Sequence, residues 1–321
     1  MNSSAHSQAA ALAVVVGGAN MDVTGRARGP LVAADSTPGE VTVSPGGVAR
    51  NVAENLARLD RTVRLISAVG DDEFGRRLLR ETEAAGVNVD AVQCVPGGTS
   101  ASYVALSGPD GTLCAAVNDM RVIDELSPAW FEAHRPTLNA ATVLVLDCNL
   151  SEASLGWLMT CAAQAFVFVD ATSAAKCGRL RSWLNKIHSL KLNRLEAEAL
   201  TGRPVKNLSD AQAAAAVLQA AGVHELVISL GGQGVFWCDQ EGGCGLQAVR
   251  KIQVVNTNGA GDALLAGLVY GHMRRMTLTQ AIEWGAACAE MTLLSPSANR
   301  CDLSVKAVEQ WLQTQVVTMP P

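Results

Sequence analysis

Six short runs of aliphatic and β-branched residues recur along the chain, with longer amphipathic stretches between them. The runs are LAVVVGG (12–18), RLISAVG (64–70), TVLVLDC (142–148), FVFVDAT (166–172), SLKLN (189–193) and ELVISLG (225–231). Apolar side chains fill consecutive rather than alternate positions, so both faces of each strand must be covered. The intervening stretches VARNVAENLARLD (48–60), EFGRRLLRETEAAG (73–86), SEASLGWLMTCAAQ (151–164), AAKCGRLRSWLNKI (174–187) and DAQAAAAVLQAAG (210–222) read as helices. In the last, Ser209-Asp210 offers a cap and Gly222 a stop. The pattern predicts an α/β fold, a three-layer and mostly parallel sheet with helices on both faces. Ligands on such sheets bind beyond the carboxyl ends of the strands.

Two stretches break the alternation. Residues 23–45 and 96–122 are rich in Gly, Pro, Ser and Thr and carry short alternating runs such as SYVAL and TLCAAV around Pro109-Asp110-Gly111. They predict a small antiparallel β element projecting from the sheet, either a plain hairpin or a lid over a ligand. No internal repeat or clean linker divides the chain. The expectation is a tail at residues 1–10 and one domain at 11–316 with lid segments at about 23–45 and 96–122.

Composition narrows the function classes. With 49% apolar and 17% charged residues and a net charge of −5, the chain has the make-up of a compact enzyme-like domain. Its basic residues are scattered, with no run longer than Arg76-Arg77 or Arg274-Arg275, which argues against a nucleic-acid partner. The run AAALAVVV (9–16) has no Lys or Arg before it and leads straight into GGANMD, so it suits a first strand better than a secretory core. No apolar run approaches a membrane span. Nine cysteines at irregular spacing, without a CxxC pair, predict reduced and mostly buried thiols in a cytoplasmic protein.

The stretch NTNGAGDA (256–263) carries the chemistry. It precedes LLAGLVYGHMRR, which reads as a helix. Gly259, Ala260 and Gly261 lack bulky side chains, so their amides can converge on an anion at the positive end of that helix. Asp262 would repel a phosphate as a direct contact. It makes sense as a general base that takes a proton from a hydroxyl attacking phosphorus. A helix start with Gly for the turn and Asp near the dipole is the plainer alternative. No Walker or protein-kinase motif is present.

With the surrounding motifs, NTNGAGDA resembles the signature of the ribokinase-like (PfkB) carbohydrate and nucleoside kinases. Gly18–Asp22 resembles that family's N-terminal substrate loop, Pro45–Asn51 its GGxxxN segment, and SAVGDDEFG (67–75) its VGxDxxG segment. Asn193–Glu196 matches NxxE, and Leu230–Gly234 matches LGxxG. The resemblance spans about residues 12–315 and implies a ribokinase-like fold with a β-lid, ATP as phosphoryl donor, and Mg²⁺. It makes Asp262 the base and Gly259, Ala260 and Gly261 the anion hole. Asn20, Asp22, Gly46, Gly47 and Asn51 would bind the sugar. Asn193, Ser229, Gly231, Gly234, Asn258 and Lys176 would serve the nucleotide, and Glu196 would hold Mg²⁺ through water. Residues 286–295 could line the adenine pocket or simply pack in the core. The usual opening acid of the signature is Asn256 here. In the family that acid lies near a monovalent-cation site, so potassium activation stays open.

GGANMD, TNGAGDA, VNDM (117–120) and VDATSAAKCGRL look similar to family members that phosphorylate pseudouridine. The implied reaction is ATP-dependent phosphorylation of a nucleoside 5′-hydroxyl, pseudouridine giving pseudouridine 5′-phosphate. Thr99, Ser100, Tyr103, Asn118 and Met120 of the lid would then meet the base. The alternatives are a ribokinase-type sugar kinase for ribose, fructose or ketodeoxygluconate, or an inactive sugar or nucleoside sensor. The expected partners are this small-molecule substrate and a second copy of the chain paired through the lid, with no membrane.

Overall fold

The computed structural model describes residues 11–161 and 164–314. The expected tail, residues 1–10, and positions 315 and 316 of the expected domain lie outside the described residues.

All six apolar runs form strands of one sheet: β1 (Leu12–Val16), β4 (Thr62–Gly70), β8 (Val143–Asp147), β9 (Phe166–Asp170), β10 (Ser189–Asn193) and β11 (Glu225–Ser229). Three further strands, β5 (Asn88–Val95), β12 (Val235–Cys238) and β13 (Cys244–Gln247), complete the order β13-β12-β11-β10-β9-β8-β1-β4-β5. Pairing is parallel from β11 through to β5 and antiparallel only for β12 and β13. The three added strands lie toward the sheet margins; β5 and β13 are partly exposed, whereas the short β12 is mostly buried.

In β1, Val14 and Val16 enter one core while Ala13 and Val15 enter the other, as the two-residue period of a strand requires. All four are without exposed surface, and full burial of each valine is worth about 1.5–3 kcal/mol. The helices Val48–Arg58, Ala260–Met273 and Leu278–Leu293 cover one face of the sheet. The helices Glu152–Cys161, Arg194–Thr201 and Leu208–Ala220 cover the other.

The interrupting stretches build a second sheet from β2 (Asn20–Ala27), β3 (Gly39–Gly46), β6 (Ser102–Ser107) and β7 (Leu113–Asp119), in the order β3-β2-β6-β7. It is mixed rather than antiparallel, because β2 and β6 pair in parallel. Both strands leave the carboxyl edge of the main sheet, after β1 and β5, and so run outward in the same direction. β2 begins at Asn20, so residues 20–22 of the GGANMD segment are already strand where a loop was expected, while residues 17–19 remain a loop.

Several local expectations are corrected. Cys177–Lys186 winds as a 3₁₀ helix, not an α-helix. Asn207, not Ser209-Asp210, caps Leu208–Ala220: its backbone is still extended, and its side chain accepts from Asp210 N at 3.0 Å. The cysteines are not mostly buried, since Cys94, Cys114, Cys244 and Cys301 are exposed. In the stretch 286–295, Ala286, Ala287, Cys288 and Met291 are buried, in line with the core alternative, while Leu293, Leu294 and Ser295 stay partly exposed. Among the described residues, no helix is long and apolar enough to cross a membrane.

Candidate active site

The sheet reverses its strand order between β1 and β8, which is where an open α/β sheet leaves a crevice at its carboxyl edge. Asp147, the last residue of β8, fixes that crevice. Its Oδ2 accepts from Gly18 N (2.8 Å) and Ala49 N (3.0 Å), and its Oδ1 accepts from Asn149 N (2.8 Å). Gly47, the N-cap of Val48–Arg58, brings no side chain to cap the helix, so the carboxylate of a distant strand satisfies one of the helix's unpaired amides. Gly47 itself has φ +97°, and a Cβ there would lie 2.5 Å from Gly18 O. Only glycine lets the two loops touch.

The first helix thus delivers Asn51 to the crevice, where its Nδ2 donates to Asp262 Oδ2 at 2.7 Å. Arg50 Nη1 donates to Asn51 Oδ1 (2.7 Å), which fixes the amide with its N–H toward Asp262. Arg50 is itself buried, paired with Glu54, and bonded to Asn299 Oδ1 at 3.2 Å. Burial pulls its guanidinium down to about 10.

Asp262 lies in the first turn of Ala260–Met273, a helix whose cap, Gly259, also has no capping side chain. Gly259 has φ +78°, and a Cβ there would run into the carbonyl of Ala298. A Cβ on Gly261 would lie 2.5 Å from Lys191 Nζ. Lys191 is buried in β10 and donates to Asp170 Oδ2 at 2.9 Å. The amides at this helix start are therefore uncapped and flanked by an ammonium, an arrangement that attracts anions. Asp262 is pushed up to about 7, first by burial and then by the nearby Asp170 carboxylate, while Lys191 and Asn51 pull it back. A carboxylate poised there is a competent base near neutral pH.

Asp262 opens into a cavity of about 430 Å³ lined also by Asn20, Asp22, Gly47, Asn51, Asn258 and Gly259. Its other wall is the lid, where Asp22 and Tyr103 are register partners on neighbouring strands, as are Tyr103 and Asn118. One row of the sheet thus turns all three toward the cavity, and Met120 follows just beyond β7. Asn20 Nδ2 donates to Asp22 Oδ1 (2.7 Å), and burial raises the Asp22 carboxyl. A Cβ on Gly46 would strike the Asp22 carboxylate.

Thr99 does not reach this cavity; it lines a separate recess with Gly98, Asp119 and Arg121. Ser100 beside it is buried, its N and Oγ donating to Asp72 at 2.8 and 2.6 Å and its Oγ accepting from Gly70 N. Asp72 also caps Glu73–Ala84. The SAVGDDEFG segment is accordingly the anchor of β6, and anchoring Ser100 leaves Thr99 on the far side of the turn.

The remaining positions gather at the carboxyl ends of β10 and β11. Asn193 and Ser229 are register partners there. Gly231 and Gly232 leave open space where side chains would stand. Gly234 is demanded by the hairpin instead, since a Cβ would meet Gln247 O. Asn193 precedes Arg194–Thr201 as its cap. The Glu196 oxygens accept from Asn193 N (2.7 Å) and Nδ2 (2.6 Å) in a buried capping box. Asn258 N is held by Asn256 Oδ1 at 3.0 Å, and Asn256 Nδ2 donates to Pro296 O.

Sequence reasoning passed over Asp147, Asn149, Asp170, Thr172 and Lys191. A signal existed: TVLVLD and FVFVD each end in an acid at the ligand-binding edge, and SLKLN places a cation inside a buried strand.

A model of the family described as pfkB family carbohydrate kinase matches residues 10–305. The chain is 41% identical to the pseudouridine kinase of Escherichia coli (strain K12), over 92% of this chain and 94% of that one. It is 36% identical to an uncharacterized sugar kinase, YeiI, of the same organism, over 91% of this chain and 80% of that one. The structure of Arabidopsis thaliana ribokinase complexed with ribose and ATP superposes with a TM-score of 0.86 at 21% identity, covering 95% and 99% of the two chains.

Proposed function

Because the chain belongs to the pfkB family of carbohydrate kinases, phosphotransferases that act on an alcohol group, we propose that it phosphorylates the 5′-hydroxyl of a nucleoside, pseudouridine above all. The observation that carries this reading is the shared cavity: a near-neutral carboxylate, uncapped helix amides and polyol-type partners lie along one wall, with a lid face beyond them. Ribose hydroxyls suit Asn20 and Asp22, since a carboxylate accepts from hydroxyls and an amide both donates and accepts. Tyr103, Asn118 and Met120 lie past that end, where a nucleoside has a base and a free sugar has nothing. Likeness to a pseudouridine kinase at 41% identity points the same way.

ATP supplies an activated phosphoryl group, and the uncapped amides at Gly259–Gly261 with Lys191 beside them fit its phosphates. Gly231 and Gly232 leave a shelf for the nucleotide next to Asn193 and Ser229. Mg²⁺ keeps most of its waters and takes phosphate oxygens, which suits a Glu196 whose own oxygens are occupied by Asn193. Asp262 would take the hydroxyl proton as the oxygen attacks, and Asn51 holds the carboxylate in place. Positioning and charge stabilisation carry the rest. The setting proposed is cytoplasmic.

A coupled ADP-release assay with pseudouridine, uridine, adenosine, ribose and fructose tests the reading. Pseudouridine is expected to give the highest kcat/KM. Ribose or fructose far ahead of every nucleoside would make the chain a sugar kinase, and binding without ADP release would make it a sensor.

The outer lid face motivates a second expectation. Val43, Val23, Val104 and Val117 share one register row, with Val41 and Leu106 on the next. Val41 and Val117 are 70% and 71% exposed. An apolar sheet face of this kind is normally covered, and a second copy of the lid is the proposed cover. Light scattering after size exclusion is expected to give a dimer that Val117→Asp converts to monomer; a monomeric wild type would refute it.

A further inference from the structure

The cavity has a second polar end that phosphoryl transfer leaves unused. Asn149 follows β8 and Lys176 follows β9, and Lys176 Nζ donates to Asn149 Oδ1 at 2.7 Å. Both line the cavity with Tyr103, Asn118 and Met120. The charges around this lysine are Asp147, Arg179 and Asp124, whereas those around Asp262 are Asp170, Lys191 and Asp147. The ammonium that lies against the anion hole is that of Lys191; Lys176 stands apart, toward the base of the lid.

Keeping Lys176 there is costly. Among the described residues Asn149 is its one hydrogen-bond partner and no carboxylate forms an ion pair with it. An ammonium has three N–H donors, and partial burial holds this one below the usual lysine range. Its loop is strained: Thr172 has φ +64°, and a β-branched residue in that region costs about 1–3 kcal/mol. Thr172 Oγ1 accepts from Cys148 N at 2.9 Å, and Arg179 Nη1 donates to the carbonyls of Cys148, Asn149 and Leu150. The two loops are thereby locked to each other. A rigid donor with spare N–H groups, held in a substrate cavity at a cost in stability, fits recognition of an acceptor in a fixed position.

Resting on the nucleoside reading, we propose that Lys176, oriented by Asn149, donates to a ring carbonyl oxygen of the substrate's base and so selects a uracil-type base over one bearing an amino group there. An amino group would face the ammonium donor to donor, with an N–H left unpaired once the base fills the cavity.

Steady-state kinetics on the full chain tests this. The substrates are pseudouridine, ribose, and two pseudouridine analogues in which one or the other ring carbonyl is replaced by an amino group. The proteins are wild type, Lys176→Met and Lys176→Arg. Wild type is expected to reject one of the two analogues. Lys176→Met should raise KM for pseudouridine by roughly ten- to a hundredfold, as loss of a charged hydrogen bond does, with kcat near wild type and the rejection erased; Lys176→Arg should keep part of it. The rejection is a ratio, so a partly unfolded preparation still decides the matter. Equal losses for pseudouridine and ribose, or a fall in kcat at constant KM, would overturn the proposal. Nucleoside turnover with rejection intact in Lys176→Met defeats this inference alone. A wild type that turns over no nucleoside defeats the reading beneath it as well.

Discussion

Asp262→Asn is expected to lower kcat by about 10²–10⁴-fold, the usual contribution of a general base, with little change in KM for the nucleoside. The substitution is close to isosteric, and the new amide oxygen can still accept from Asn51 Nδ2, so the cavity keeps its shape. The same variant should be no less stable than wild type, and the sign follows from linkage. Burial raises the Asp262 carboxyl from 3.8 to about 7, so the folded state holds this proton more tightly than the unfolded chain. The stability it contributes is full below about 4 and is lost as pH rises through about 7. Asparagine has no proton to lose. Thermal melts should therefore show the variant gaining on wild type between pH 4 and 8, the exchange of stability for activity common at catalytic sites. A variant that melts well below wild type at pH 8 would give Asp262 a structural role instead.

Lys191→Met is expected to be the most damaging single change to stability. Lys191 and Asp170 are both buried, 6% and 2% exposed, and 2.9 Å apart. Removing one partner of a buried pair leaves the other charge uncompensated, at a cost of about 3–5 kcal/mol. Lys191 is also a positive charge that lowers the Asp262 carboxyl, while Asp170 raises it. The single variant should therefore shift the acid limb of the rate profile to higher pH. Lys191→Met combined with Asp170→Asn removes both charges, and should recover most of the stability and bring the limb back. Urea denaturation and rate profiles of the two variants check this. A single variant as stable as wild type would mean that the pair is solvated in solution.

The central layer of the fold was legible because its strands are buried on both faces and therefore largely apolar. LAVVVGG needs no partner to be recognised as interior strand. NVDAVQCV was not legible, because a strand at the margin of the sheet carries a mixed pattern that a loop can share, and VFWC, although apolar throughout, is only four residues long. The end of the cavity proposed to be catalytic was readable at NTNGAGDA, where Gly259, Gly261 and Asp262 sit within four residues. Asp147 and Lys191 were not, since their importance comes from partners far away in sequence: Asp147 acts on Gly18 and Ala49, and Lys191 on Asp170 and Gly261. Thr99 was misplaced for the same kind of reason, because the bonds from Ser100 to Asp72 decide which way that turn faces. Tyr103 and Asn118 join the cavity through strand register with Asp22, and register is a property of the pairing rather than of either segment.

The claim on which the mechanism depends is that one buried carboxylate removes the proton from the attacking hydroxyl. The pH dependence of kcat/KM, measured with the best nucleoside for wild type and for Asp262→Asn, tests it most directly. Wild type should rise with pH to a plateau through a single ionisation near 7, and the residual activity of the variant should show no such limb. The same acid limb in both proteins would place the base on another residue.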